Sequence, residues 1–324
     1  MIKNKKILVT GCYGFLAQHL INKLLENNNT VLGIYNKKYQ RLIFNNKKYL
    51  NNKKLKISKL DIKDLKEVKR FVKNNNIDFC MHLAAISQVL DSNYDPKFTF
   101  DTNFVGTLNL LESFRKINPK IKFIFSSSDK VYGDSNKLPY NEHSILNGIN
   151  PYDASKVCAD ILARSYALSF NMKIAVTRSV NIYGPGDVNW DRIFPGTIKC
   201  LIENKKPIIR SNGKFLRDYI YIDDIVDGYI SIASFMLTRN FKNGLAFNFG
   251  NNKPLSVLEI VKKILKKFNK NINFLKILNK SNNEIKDQYS NFKNAKKYLK
   301  WYPKIDIDEG LDKSIKWYKQ KFGK

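Results

Sequence analysis

The chain has 324 residues, 43% hydrophobic and 26% charged, a composition that excludes disordered, collagenous and low-complexity classes and fits one large α/β domain with a smaller lobe attached. Its formal net charge is +29, yet nine of the 57 basic residues are Arg and the other 48 are Lys, spread among Asn residues in stretches such as Asn45 to Lys56 and Lys262 to Asn273. A nucleic-acid reader uses more Arg, so the charge reads as a solvated surface with a weak attraction for anionic ligands, and no nucleic-acid partner is expected.

In chain order, Lys6 to Thr10 is a short apolar strand ending in Gly11, followed by a helix-period stretch from Phe15 to Glu26 and a second strand from Thr30 to Tyr35, together a βαβ unit. A third strand precedes Asp61. The alternation continues through Ile77 to Leu83 (strand), Pro96 to Ile117 (helix), Lys122 to Ser126 (strand), Pro151 to Phe170 (helix) and Lys173 to Thr177 (strand). After Arg178 the pattern loosens around Gly184-Pro185-Gly186, with helices near Ile193 to Glu203, Asp223 to Thr238, Ser256 to Phe268 and Glu309 to Lys319 and a strand at Ala246 to Phe249. Strands separated by helices predict an α/β fold: a Rossmann-type doubly wound parallel sheet with a smaller C-terminal α/β substrate lobe. The division expected is 1–178 with about 222–250 for the dinucleotide-binding domain, and 179–221 with 251–324 for the lobe.

Cys12, Cys80, Cys158 and Cys200 form no CxxC pair, which argues against a disulfide framework and a zinc site; no metal is expected. No apolar run approaches roughly 18 residues, and the N-terminus passes straight into a strand, so a cytoplasmic protein with no membrane partner is expected.

Gly11-Cys12-Tyr13-Gly14-Phe15-Leu16-Ala17 joins the first strand to the first helix, where small residues let the backbone approach a pyrophosphate and the helix N-terminus faces the anion. A NAD site usually ends the second strand with an acidic residue on the ribose 2′-hydroxyl, but here the strand runs Tyr35-Asn36-Lys37-Lys38. Lys37, Lys38 and Arg41 can neutralise a 2′-phosphate, which favours NADP with NAD as the other possibility; the general Lys excess accounts for them equally well. Asp61, followed by Ile62, reads either as an adenine contact or as a helix N-cap.

Tyr152-Asp153-Ala154-Ser155-Lys156 puts a phenol and an ammonium four residues apart on one helix face. A phenol with an unperturbed pKa near ~10 needs a neighbouring cation to act as a base at neutral pH, and Lys156 supplies one. The pair follows a strand ending in Ser126-Ser127-Ser128-Asp129-Lys130. With the glycine turn, His82-Leu83-Ala84-Ala85, Asn103 with Gly106-Thr107, Asn181-Ile182-Tyr183-Gly184-Pro185 and Arg217-Asp218-Tyr219, these segments resemble the extended short-chain dehydrogenase/reductase family of nucleotide-sugar epimerases and dehydratases.

The resemblance implies a nucleotide-diphospho-sugar substrate, a tightly bound and regenerated dinucleotide, and a homodimer or homotetramer. It makes Tyr152 the base towards the sugar hydroxyl, Ser128 a hydrogen-bond partner of that hydroxyl and Lys156 the partner of the nicotinamide ribose. Gly11, Tyr13, Gly14, Phe15, Leu16, Asn36, Asp61, Ile62, Leu83, Ala84, Ala85 and Asn103 are the further cofactor positions. Gln88, Asn181, Arg192 and Arg217 are the substrate positions, with a salt bridge to Asp218 or Asp223 as the other reading of Arg217. His82 reads as a packed residue at a strand end.

Four-epimerases of this family follow the catalytic Ser or Thr with small residues, whereas 4,6-dehydratases place an acid and a base there. Asp129 and Lys130 occupy those positions, a Ser-Asp-Lys combination similar to that of CDP-glucose 4,6-dehydratases. The implied reaction is oxidation at carbon 4, loss of water across carbons 5 and 6, and hydride return to carbon 6, with Asp129 as the acid and Lys130 as the base, or alternatively as a partner of the diphosphate. A 4-epimerase or 4-reductase on the same scaffold is the alternative.

Overall fold

A computed structural model describes residues 2–36, 51–280 and 285–323. Seven strands form one sheet: β1 (Lys6–Thr10), β2 (Thr30–Tyr35), β3 (Leu55–Lys59), β4 (Phe79–His82), β5 (Lys122–Ser128), β6 (Lys173–Ser179) and β7 (Leu245–Phe249). Their spatial order is β7-β6-β5-β4-β1-β2-β3, and every pairing is parallel. The order reverses between β1 and β4, the switch point at which such sheets open a crevice at their carboxyl ends. This is the doubly wound sheet that the alternating pattern predicts.

The strand period of two divides the core into layers. Ile7 and Val9 pack with Leu20, Ile21 and Leu24 of helix α1 (Phe15–Glu26) on one face. Leu8 packs on the other with Val68 and Val72 of α2 (Leu65–Asn74), Leu110, Leu111 and Phe114 of α3 (Gly106–Ile117), and Ala159 and Ala163 of α4 (Pro151–Ser169). The edge strand β3 exposes Lys56, Ser58 and Lys59, charged and polar residues that discourage pairing with another chain.

Local signals set the helix starts. Asp64 caps α2 by accepting from the backbone N–H groups of Lys66 and Glu67, so the N-cap role weighed for Asp61 belongs to Asp64. The predicted Pro96–Ile117 helix is three segments, Pro96–Phe100, a wider π turn at Asp101–Val105, and α3. Gly106 begins α3 tight against Ile62, where a Cβ would lie 2.5 Å from Ile62 Cδ1.

Beyond β6 come α5 (Ile193–Ile202), α6 (Ile222–Phe235), α7 (Val257–Lys267) and α8 (Ile307–Lys321), each within a few residues of its predicted span. Three two-stranded pairings, which periodicity did not reveal, tie this part together: Asn181–Tyr183 with Tyr219–Tyr221, Leu216–Arg217 with Leu255–Ser256, and Ile208–Ile209 with Lys276–Ile277. No helix among the described residues is long and apolar enough to cross a membrane.

Candidate active site

A single cavity of about 1410 Å³ runs along the carboxyl ends of the strands and into the C-terminal segments. Its floor begins at Gly11, whose φ of +65° belongs to the left-handed region that glycine tolerates. A Cβ there would stand 2.8 Å from the Ala84 Cα, so the turn lies directly against the loop after β4. Gly14 caps α1 with no side-chain hydrogen bond, leaving the first amides of the helix for an anion.

Gly11, Tyr13, Gly14, Phe15 and Leu16 line one wall, and Asn36, Asp61 and Ile62 continue it at the ends of β2 and β3. Asn36 Nδ2 donates to Asp61 Oδ2 at 2.7 Å, and the Lys63 ammonium pairs with the same oxygen at 2.7 Å. Leu83, Ala84, Ala85 and Gln88 complete the wall after β4. Lys37, Lys38 and Arg41 lie outside the described residues.

Two buried polar struts stand behind this wall. Thr10 Oγ1 accepts from the backbone N–H groups of Leu83 and Ala84 at 3.0 and 2.9 Å and meets His82 Nδ1 at 2.7 Å. With Nδ1 accepting the threonine proton, His82 Nε2–H faces Thr107 Oγ1 at 2.9 Å. Burial pushes the His82 pKa down to about 3, so the ring is a neutral packed residue. Asn103 is the second strut. It accepts from the Ile86 N–H at 2.8 Å and donates to the Ile86 carbonyl and to Ser155 Oγ at 3.1 and 2.9 Å. Its side chain does not line the cavity; it fixes the loop after β4 to α4.

The chemistry-bearing residues converge at the end of β5. Ser128, Asp129, Lys130 and Tyr152 all line the cavity. Burial raises the Tyr152 phenol to about 12, opposed by the neighbouring Ser128 hydroxyl, which lowers it. Ser128 Oγ donates to Asp129 Oδ1 and accepts from the Lys130 backbone N–H, both at 3.2 Å. Burial raises the Asp129 carboxyl to about 6, opposed by the Lys130 charge, the Ser128 hydrogen bond and Arg217. Lys156 stands behind the lining: its ammonium donates to the Ser126 carbonyl at 2.6 Å and sits 4.8 Å from the Phe125 ring centroid. Burial lowers its pKa to about 8.

Residues 8–314 match the family described as GDP-mannose 4,6 dehydratase. The chain belongs to this family. It is 30% identical over 327 residues to the dTDP-D-glucose 4,6-dehydratase of Bos taurus, with 98% of this chain and 90% of the bovine protein covered. It is also 30% identical over 324 residues to the UDP-glucuronate 4-epimerase of Thermodesulfobacterium geofontis, covering 97% and 96% of the two chains. The crystal structure of UDP-glucuronic acid 4-epimerase from Bacillus cereus with UDP-glucuronic acid and NAD superposes with a TM-score of 0.87 at 28% identity, over 97% of this chain and 99% of that one. The family read from the motifs is therefore the right one, and its dehydratases and epimerases share this scaffold.

The residues fit the dinucleotide that the family fold implies. The glycine cradle admits no Cβ at Gly11, and Ser127 Oγ, Ser179 Oγ and Asp129 Oδ2 are buried without a partner in residues that line the cavity. On the opposite wall stand Asn181, Arg192 and Arg217. Asn181 Nδ2 donates to the Asp218 carbonyl at 3.2 Å, and Arg192 Nη1 pairs with Asp187 Oδ2 at 3.2 Å. Arg217 donates to the carbonyls of Leu216, Lys286 and Ile285 at 2.8, 2.8 and 2.6 Å.

Sequence reasoning missed Ser179 and Asp153, both cavity-lining. The rule that ligands bind outside the carboxyl ends of parallel strands points to Ser179, the last residue of β6. Asp153 follows Tyr152 directly; its carboxyl is buried, with Oδ1 unpartnered, and burial raises its pKa against the opposing Lys130 charge.

Proposed function

We propose that the chain is a nucleotide-sugar 4,6-dehydratase working with a tightly held nicotinamide dinucleotide. The observation that carries this reading is the Asp129 carboxyl, buried beside Ser128, raised to about 6 and with one oxygen unpartnered at the cavity. A 4-epimerase oxidises and re-reduces one carbon and needs no such acid; an elimination needs one for the departing hydroxyl.

When bound, the dinucleotide supplies the acceptor for hydride from carbon 4 and the donor of hydride to carbon 6. Tyr152 takes the proton of the 4-hydroxyl, with Ser128 hydrogen bonded to the same group. To take that proton Tyr152 acts as the phenolate, and ionising a phenol raised to about 12 needs a neighbouring cation; Lys156, one helical turn away, is the cation assigned to that task. The ketone formed at carbon 4 acidifies the proton on carbon 5. Lys130, acting as the neutral amine, accepts that proton while the protonated Asp129 carboxyl gives its own to the leaving 6-hydroxyl. Arg192, Arg217 and Asn181 hold the diphosphate and Gln88 the sugar, guanidinium groups being suited to bidentate oxyanion binding.

The division into a dinucleotide domain (1–178 with about 222–250) and a nucleotide-sugar lobe (179–221 with 251–324) is supported by the sheet, all seven of whose strands fall in the first set save Ser179, the last residue of β6. Between the two dinucleotides, NAD is supported by the cofactor named with the Bacillus cereus structure; the NADP expectation rests on Lys37, Lys38 and Arg41. Assembly as a homodimer or homotetramer is supported by Ile161 and Leu168, apolar and exposed on α4. Four cysteines without disulfides suit a cytoplasmic enzyme.

The test is incubation with a panel of CDP-, GDP-, UDP- and TDP-hexoses in deuterated water. Loss of one water with deuterium at carbon 5 is the expected result. An inverted sugar with no deuterium at carbon 5 would replace this reading with the 4-epimerase that the Thermodesulfobacterium relative exemplifies.

A further inference from the structure

The segment from Ile285 to Asn291 begins at the cavity lining with Ile285 and pairs with Tyr140, Leu216 and Asp218. Its Tyr289 carbonyl accepts from the Tyr140 N–H at 3.0 Å, and the Asn291 N–H donates back to the Tyr140 carbonyl at 2.9 Å. On its other side the Gln288 N–H donates to the Leu216 carbonyl and its carbonyl accepts from the Asp218 N–H, at 3.0 and 3.1 Å. These ladders fix the Gln288 backbone without using its side chain. The side chain is 0% exposed and does not line the cavity. Its Oε1 accepts from the Lys130 ammonium at 3.5 Å, while Nε2 is buried without a partner.

A buried amide with a stranded donor costs stability, and an apolar side chain of the same size avoids that cost. Towards the Lys130 ammonium the amide presents its oxygen, the atom able to accept from a group that only donates. The Oε1 contact is therefore what the amide does here. The other groups acting on Lys130 are the Asp129 and Asp153 carboxyls, whose pKa values its charge lowers. Both line the cavity, whereas Gln288 does not.

We propose that Gln288 is a positioning residue that aims Lys130 at carbon 5. The proposal rests on the dehydratase reading, in which Lys130 is the base. A side chain with four rotatable bonds, drawn towards two carboxyls, needs a counter-hold to keep its nitrogen in line with one carbon-bound proton, and misplacement by about 1 Å can cost about 100-fold in rate. Gln288 supplies the hold from a segment 158 residues away in sequence.

The experiment uses the full-length protein with its bound dinucleotide and whichever nucleotide hexose it turns over, and measures two steps separately. Oxidation at carbon 4 is read as dihydronicotinamide absorbance, and exchange at carbon 5 as deuterium uptake. Gln288→Leu is expected to slow exchange by about 10- to 100-fold while leaving oxidation within about twofold. Gln288→Glu keeps the acceptor but adds a carboxylate that favours the ammonium, so its exchange is expected to recover only as pH rises. In a Lys130→Met background, Gln288→Leu is expected to add no further loss, since a residue acting through another has no separate effect. Unchanged exchange in Gln288→Leu, or an equal added loss in the double variant, overturns the positioning role. If Gln288→Leu does not fold, Gln288→Asn, which keeps the amide and draws it back by one methylene, is read in the same way. Lys130→Met exchanging like the wild type instead overturns the assignment of the base, a separate and recognisable failure.

Discussion

Ser128 and Asp129 share one hydrogen bond, from Ser128 Oγ to Asp129 Oδ1 at 3.2 Å, so the hydroxyl that faces the Tyr152 phenol also touches the carboxyl proposed as the acid. The first and second proton transfers of the reaction are thus served by adjacent, connected side chains. Replacing Asp129 by Asn keeps this bond's acceptor and removes the transferable proton. Water loss is expected to slow by about 10² to 10⁴, while oxidation at carbon 4 is spared. Reduced dinucleotide then accumulates with the bound 4-keto sugar, visible by absorbance; equal loss of both steps would point to a purely orienting role for Asp129.

The same carboxyl sets a pH dependence. With its pKa raised to about 6, Asp129 is protonated below that value and ionised above it. Elimination relative to oxidation is therefore expected to decline as pH rises through about 6. Rapid-quench measurement of the 4-keto-6-deoxy product against reduced dinucleotide gives the ratio, and a flat ratio from pH 5 to 8 contradicts the assignment.

Lys156 gives a second falling limb, at higher pH, for the first step. Burial lowers its pKa to about 8, so it is charged below that value and neutral above. Oxidation is expected to fall as pH passes about 8, when the cation that assists Tyr152 is lost. Lys156→Met is expected to lower oxidation across the whole range and to erase this limb in single-turnover pH profiles. Tyr152→Phe is expected to cost about 10² to 10⁴ in turnover while the protein still carries its dinucleotide, measured by mass spectrometry after heat release.

Cofactor choice is measured the same way. Dinucleotide released from the purified protein is expected to be NAD. Recovery of NADP, lost in a Lys37→Ala and Arg41→Ala variant, would return the decision to those basic residues.

Stability has its own test in the ion pair between Arg178 and Asp160. Both side chains are 0% exposed and meet at 2.8 Å, and Arg178 also donates to Tyr132 Oη and the Glu142 carbonyl, each at 3.1 Å. Asp160→Ala strands a buried guanidinium that ties β6 to the segment after β5. A loss of about 3 to 5 kcal/mol in denaturant unfolding is expected. A loss below about 1 kcal/mol would mean that water reaches Arg178.

The fold was legible because its information is local. The strand β1, the glycine turn and α1 follow one another within 21 residues, and each announces itself by period or by a small residue. Tyr152 and Lys156 were legible for the same reason, being one helical turn apart. Asn103 was legible as a motif but not as a strut, since its partners Ile86 and Ser155 are 17 and 52 residues away. Gln288 carries no sequence signal at all. It belongs to a segment with no helix or strand of its own, brought to β5 by ladders to Tyr140, Leu216 and Asp218 that no periodicity encodes.

Asn103 has one more consequence. It joins the loop after β4 to the helix that carries Tyr152 through one buried side chain. In the proposed reaction hydride leaves carbon 4 and comes back to carbon 6, two atoms that cannot occupy one place together. In that proposal, with the loop and the phenol joined at both transfers, carbon 6 must come to the place that carbon 4 had held, so the sugar is the part that moves.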